Sequence, residues 1–184
     1  MINVKFTKLE SAAFMSHLNL LKTINRIIKR AGFEPKFSKG FNPHALLKLS
    51  NPIPLGLKSE AEYFTVELEY DVDLQDFLDK CNATTPSGIK FLKAFKSEKN
   101  PNFARDIFAV RYILFENDKQ IEIEELKTEI PTSVKPIKLL EQINETYNTQ
   151  YTISNLTKTN SYMLREREIL NVDKMLLISD TKTV

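Results

Sequence analysis

Apolar and polar residues alternate along several stretches of the first half of the chain, and this period of two is typical of half-buried β-strands. The alternating stretches are 2–7, 45–50, 61–70 and 89–95. Two other stretches, 16–32 and 73–82, repeat apolar residues every three or four positions, which predicts amphipathic helices. The predicted order through residue 96 is therefore β-α-β-β-α-β, the ferredoxin-like order, with its helices on one face of an antiparallel sheet.

The ends of the two predicted helices carry suitable capping residues. Ser16 is a predicted N-cap of the first helix, Gly32 ends it, and Asp73 is a predicted N-cap of the second. The apolar face of the first helix is predicted to point inward, and its opposite face carries cations. The inward residues are Leu20, Leu21, Ile24, Ile27, Ile28 and Ala31, and the cations are Lys22, Arg26, Lys29 and Arg30.

The polar segment 97–106 has no apolar period and is the predicted linker between two units. The first unit, 1–96, is the predicted ferredoxin-like domain, and 107–184 is the predicted second α+β subdomain, with a degenerate ferredoxin-like copy as one interpretation. Its predicted strands are 107–116, 120–126, 151–156, 161–164 and 174–179, with a helix at 136–148. The fold class is therefore α+β.

Composition restricts the kind of protein. With 42% hydrophobic and 27% charged residues, the chain resembles ordinary water-soluble proteins. Its single cysteine, Cys81, excludes an internal disulfide and a cysteine-rich metal site. The sequence shows no apolar run of membrane-spanning length and no signal-peptide layout, so we expect a cytoplasmic location.

Charge is unevenly distributed, although the net charge is only +2. Residues 1–58 contain ten lysines and arginines and two acids, whereas residues 59–79 contain eight acids and no base. The first third is a candidate anion-binding surface. The alternative is that the two blocks neutralise each other on neighbouring elements.

The segment 36–56 concentrates unusual residues, since it holds two of the four glycines, three of the eight prolines and one of the two histidines. Gly40 permits positive φ, and Pro43 restricts the backbone of Asn42. The segment is therefore predicted to hold the side chains of Asn42 and His44 in a fixed geometry beside two lysines. Phe41 is a candidate to stack on a base, with a place in the core as the alternative.

Four motifs occur in order through residue 62: Ser16-His17-Leu18-Asn19, the basic run Arg26 to Arg30, Gly40-Phe41-Asn42-Pro43-His44, and Pro54 to Glu62. In these motifs, over roughly residues 1–95, the chain resembles a bacterial domain family linked to radical S-adenosylmethionine (SAM) proteins. Asn19 stands where an aspartate is more usual. The resemblance implies a radical SAM partner that carries the iron–sulfur cluster and S-adenosylmethionine. This chain lacks the three-cysteine motif, so it would be a stand-alone form without a cofactor of its own.

We expect an accessory module that binds RNA or another phosphate-rich ligand for that partner. The candidate ligand-binding residues are Lys22, Arg26, Lys29, Lys36, Ser38, Lys39, Phe41, Asn42, His44, Ser59 and Glu62. One alternative is a metal-independent RNA-processing enzyme with His44 and His17 as acid and base. A zinc site built from His17, His44, Glu60 and Glu62, and a protein-docking domain without nucleic-acid binding, are further alternatives.

Overall fold

The computed structural model describes residues 1–98, 101–117, 119–122, 133, 135–165 and 168–180. The first half contains β1 (Ile2–Lys8), α1 (His17–Arg30), β2 (Leu47–Leu49), β3 (Lys58–Val66), α2 (Leu74–Asn82) and β4 (Phe91–Lys96). The second half contains α3 (Phe103–Asp106), β5 (Ile107–Glu116), β6 (Lys119–Ile121), α4 (Pro136–Tyr147), β7 (Leu156–Arg165), β8 (Glu168–Asn171) and α5 (Val172–Asp180).

The first half has the ferredoxin-like arrangement that its sequence predicts. Strand β1 lies between β3 and β4 and is antiparallel to both, and β2 pairs with the other edge of β3, also antiparallel. The order β4-β1-β3-β2 is thus the split βαβ order. The N-caps are also confirmed, because Ser16 Oγ accepts from the backbone N–H of Asn19 and Asp73 Oδ1 accepts from that of Asp76.

The two faces of the first four strands carry different layers. One face packs against the inward sides of α1 and α2, with Phe6, Phe64 and Phe91 forming an aromatic cluster at its centre. The opposite face packs against α5 and the short helix α3, where the Tyr63 and Phe103 ring centres lie 5.3 Å apart. A second layer therefore covers the face of the sheet that the first two helices leave open.

In the described part of the chain, both halves contribute to one sheet of eight strands. Strand β3 has a divided edge, because Phe64 to Val66 pair with β2 while Lys58 and Ser59 pair in parallel with Thr157 and Lys158 of β7. Strand β7 is antiparallel to β5 and β8, and β5 is antiparallel to β6. After α3, the described part of the second half has the order ββαββα, which differs from that of the first half.

A buried polar network holds α5 against the sheet. Asp173 accepts a hydrogen bond of 2.6 Å from the Tyr63 hydroxyl and pairs with Lys5 and Lys93 at 3.2 and 3.0 Å. Burial alone would raise the pKa of the Asp173 carboxyl, but hydrogen bonds from Tyr63 and Lys93, together with the Lys5 charge, outweigh burial and lower it. Asp173 is therefore held as a carboxylate that joins the two halves.

Two predictions for the second half are wrong. The stretch 174–179, predicted as a strand, lies in helix α5, where Val172 and Leu176 are buried at helical spacing and Leu177 is exposed. Residues 153–155 form a 3₁₀ turn before β7, within the stretch predicted as a strand at 151–156. The part of the predicted strand 120–126 beyond residue 122 lies outside the described residues.

The predicted division into 1–96 and 107–184 stays a prediction. Within the predicted linker 97–106, Phe103 is buried and belongs to the apolar cluster around Tyr63 and Met163. Among the described residues, no helix is long and apolar enough to cross a lipid bilayer.

Candidate nucleic-acid interface

Residues 36–46 form a hairpin that extends the sheet beyond β2. Across the hairpin, the Leu46 N–H donates to the Lys36 carbonyl at 2.7 Å and the Ser38 N–H donates to the His44 carbonyl at 2.8 Å. Its base is attached to the chain after β3, because the Lys36 N–H donates to the Glu67 carbonyl and the Glu67 N–H donates to the Leu46 carbonyl. The segment is therefore an ordered projection supported by main-chain hydrogen bonds.

Ser38 and His44 stabilise this hairpin through their side chains. Ser38 Oγ accepts the backbone N–H of His44 at 3.1 Å and lies 2.9 Å from His44 Nδ1. When the hydroxyl donates to Nδ1, the ring proton is on Nε2. His44 is therefore positioned by the hairpin, as predicted, with its side chain at the protein surface.

The tip of the hairpin presents an aromatic ring to solvent. Gly40 has φ of +133°, a conformation that L side chains rarely adopt. Phe41 follows it and is fully exposed, and Lys39 and Asn42 on either side are exposed as well. The alternative of a core position for Phe41 is thereby wrong.

The cationic face of α1 is continuous with the hairpin. Lys29 Nζ lies 4.8 Å from the centre of the Phe37 ring, which belongs to the hairpin. Lys22 and Arg26 lie seven and three residues before Lys29 on the same exposed helical face. We call the set Lys22, Arg26, Lys29, Phe37, Lys39, Phe41 and Asn42 the hairpin–helix surface.

The acidic block 59–79 does not neutralise these cations within the described part of the chain. The acids there that form ion pairs do so with other lysines: Glu62 with Lys158 and Asp71 with Lys96 on other elements, and Asp76 with Lys80 within α2. No ion pair of Lys22, Arg26, Lys29 or Lys39 with a described residue is found. The positive charge of the hairpin–helix surface is thus available to an anion.

Lys36, Ser59 and Glu62 lie apart from the tip of the hairpin. Lys36 is half-buried at its base and lines a groove of about 560 Å³ together with Glu69 and Asp71. Ser59 and Glu62 are buried, and the Ser59 hydroxyl donates to Glu62 at 2.8 Å. These predicted ligand residues do not form one surface with Phe41.

Glu62 is the centre of a buried ion pair that sequence reasoning missed. Its carboxylate accepts from Lys158 Nζ at 2.8 Å and from the Ser50 hydroxyl at 3.2 Å, in addition to Ser59. The side chains of Glu62 and Lys158 are only 4% and 5% exposed. Nearby, burial lowers the pKa of the Lys8 ammonium, and the Glu62 charge opposes that shift. The partners are 96 residues apart, so no local pattern could reveal the pair.

The two histidines line different parts of the molecule. His17, the first residue of α1, lines a narrow cleft with Lys8, Ser50 and Glu62, whereas His44 contacts Ser38 in the hairpin. Lys29, which marks the base of the hairpin, lies about 18 Å further along the α1 axis than His17. The zinc alternative is not supported, because no group of three or more potential ligands from His, Cys, Asp and Glu exists among the described residues.

The fold and this surface define an α+β protein with a ferredoxin-like half and a projecting cationic hairpin. The sequence profile of a bacterial family, described as "Uncharacterized protein conserved in bacteria (DUF2344)", matches residues 1–182, and the chain belongs to that family. The match extends through the second half, well past the 1–95 span of the resemblance. The search of curated proteins found no match to this chain.

Proposed function

We propose that this protein is a non-catalytic RNA-binding module that holds a single-stranded or looped RNA on the hairpin–helix surface for a radical SAM enzyme. The observation that carries the proposal is the fully exposed Phe41 ring on a braced hairpin, next to cations that have no ion-pair partner among the described residues.

The chemistry of the surface suits unpaired nucleotides. An aromatic ring stacks on any base, and base stacking contributes about 1–3 kcal/mol per base. Lysine and arginine neutralise phosphates and release counterions, while the Asn42 amide supplies hydrogen bonds to base edges. The spacing of Lys22, Arg26 and Lys29 along α1 places three cations in a row, as a phosphate backbone requires.

The radical SAM partner is supported by the motif resemblance alone. The partner would carry the iron–sulfur cluster and S-adenosylmethionine, and this chain would supply the substrate contacts. A binding role also agrees with the separation of the two histidines, since an acid and a base that act on one phosphodiester must both reach it.

RNA binding is tested by fluorescence anisotropy with a labelled 12-nucleotide single-stranded RNA at 50 and 200 mM KCl. We expect saturable binding that weakens steeply as salt rises. Binding that ignores ionic strength, or no binding at 50 mM KCl, would overturn the proposal. Co-purification of a radical SAM enzyme with the tagged protein from a bacterial lysate tests the partner separately.

A further inference from the structure

Another pocket lies at the divided edge of β3, between the segment 50–53 and strands β5 and β7. Its volume is about 160 Å³. Apolar walls come from Ile53, Ile107 and Val110, and Tyr112 and Lys158 contribute polar groups. We call this space the β5–β7 pocket. None of its lining residues belongs to the hairpin–helix surface.

Tyr112 contributes a nearly buried hydroxyl-bearing side chain to the lining of this pocket. The residue is 5% exposed, and its hydroxyl makes no hydrogen bond with another described residue. The oxygen is not among the fully buried atoms that lack a partner, so it is accessible from the pocket. Burial, and secondarily the Glu62 charge, raise the pKa of Tyr112, so the hydroxyl is neutral and is a hydrogen-bond donor. The Tyr112 hydroxyl is therefore available to donate to a ligand in the pocket.

Lys158 supplies a cation to the same pocket. Its ammonium donates a hydrogen bond to Glu62, and an ammonium has three hydrogens to donate. Glu62 is already bonded to two serine hydroxyls and Lys158, and it does not line the β5–β7 pocket. A ligand therefore meets the lysine and the tyrosine hydroxyl before any carboxylate.

The entrance adds further positive potential. Helix α4 begins at the pocket with Pro136, and its N-cap, Lys135, also lines the pocket and makes no side-chain capping bond. Partial positive charge from the first-turn N–H groups of a 12-residue helix favours an anion there. The helix end and the Tyr112 hydroxyl, which has no hydrogen-bond partner among the described residues, both offer donors to an oxyanion, and Lys158, already paired with Glu62, offers further N–H groups.

We propose that the β5–β7 pocket binds a small organic oxyanion, either a carboxylate or a phosphate on a single ring or short apolar group. The oxyanion accepts hydrogen bonds from the Tyr112 hydroxyl and the Lys158 ammonium, and the apolar part lies against Ile53 and Val110. The size agrees, because an apolar cavity of about 150 Å³ holds one benzene ring. This site is independent of the RNA-binding proposal.

The test uses benzoate, phenyl phosphate and benzyl alcohol as probes. Each is titrated into the intact ¹⁵N-labelled protein, and the backbone amide shifts are followed in ¹H–¹⁵N correlation spectra. The first two probes carry an oxyanion on one ring, and benzyl alcohol is a neutral analogue of similar size. We expect saturable shifts near residues 51–53 and 110–112 with at least one oxyanion, and much weaker binding of benzyl alcohol. The proposal would be overturned if all three probes bound equally. It would also be overturned if neither oxyanion showed saturable binding up to about 10 mM, which is the range of weak ligand affinities.

Tyr112→Phe is the decisive variant, because it removes one oxygen and retains the ring. We expect oxyanion binding to weaken about tenfold or more, since hydrogen bonds to charged groups are the stronger ones. The melting temperature should stay the same or rise, because the hydroxyl has no partner among the described residues. Tyr151→Phe, in the same apolar cluster but outside the pocket lining, is the matched control. Unchanged oxyanion affinity in a folded Tyr112→Phe protein would refute the assigned contact.

Discussion

The Lys29 ammonium lies 4.8 Å from the centre of the Phe37 ring, so that the last turn of α1 and the hairpin form one surface. An exposed cation–π contact contributes about 0.5–1 kcal/mol. This contact joins residues from two motifs that are separate in sequence, the basic run of the first helix and the Gly-Phe-Asn-Pro-His element.

The α1 cations should account for much of the salt dependence of RNA binding. Lys22→Gln/Arg26→Gln/Lys29→Gln removes three phosphate contacts, so the slope of log K against log salt should become shallower by about 2 units for single-stranded RNA. Anisotropy titrations at four salt concentrations give this slope.

The control for this variant is Lys119→Gln/Lys138→Gln/Lys174→Gln, which removes the same charge from exposed positions of the second half. If both triple variants make the slope of log K against log salt shallower by the same amount, RNA binding depends on net charge and not on the hairpin–helix surface.

Phe41→Ala should weaken RNA binding by the value of one base stack, about 1–3 kcal/mol, or roughly 5- to 150-fold. The unfolding free energy should stay the same, because the ring is fully exposed. Affinity is measured by anisotropy and stability by urea denaturation. Phe14→Ala, at an exposed phenylalanine before α1, should bind RNA like the parent protein; a comparable loss there would argue against a specific role for the hairpin tip.

The Glu62–Lys158 pair should be sensitive to removal of one partner. Lys158→Met leaves a buried carboxylate with two serine donors and no cation, and we expect destabilisation of about 3–5 kcal/mol in urea denaturation. In Glu62→Gln/Lys158→Met the charge is removed from both sides, and most of the lost stability should return. A double variant as unstable as the single one would show that lost packing, not an unpaired charge, is the cause.

The Asp173 network predicts a loss of stability in acid. The pKa of this carboxyl is lower in the folded protein than the ordinary aspartate value of 3.8. Its contribution is therefore complete above the unfolded-state pKa and is lost as pH falls through the folded-state pKa. Urea denaturation between about pH 6 and 3 should show a smaller acid-induced loss for Asp173→Asn than for the parent protein. Asp79→Asn controls for the removal of one negative charge, and parallel pH profiles for Asp173→Asn and the parent would contradict this role.

Local pattern predicted the first half well for a physical reason. The apolar face of α1, its Ser16 cap and the alternation in β1 and β3 are all properties of residues within a few positions of one another. Such spacing determines which face of each helix or strand is buried, so the order βαββαβ and the α+β class could be predicted. The strand prediction for 174–179 was wrong because a short apolar run has no clear period of its own. The helical spacing becomes visible only when Val172, which lies outside the run, is included.

The sequence by itself determined the helices and strands of the first half, the residue types of the hairpin and the concentration of cations in the first third. Only the tertiary structure decided that β7 joins the edge of β3, that Lys158 reaches Glu62, and that Ser59 and Glu62 are buried away from Phe41. It also decided that the Tyr112 hydroxyl lines a pocket and has no hydrogen-bond partner among the described residues. Such contacts form between residues far apart in the chain, and they depend on how faces pack after each element has formed. No spacing rule within one element contains that information.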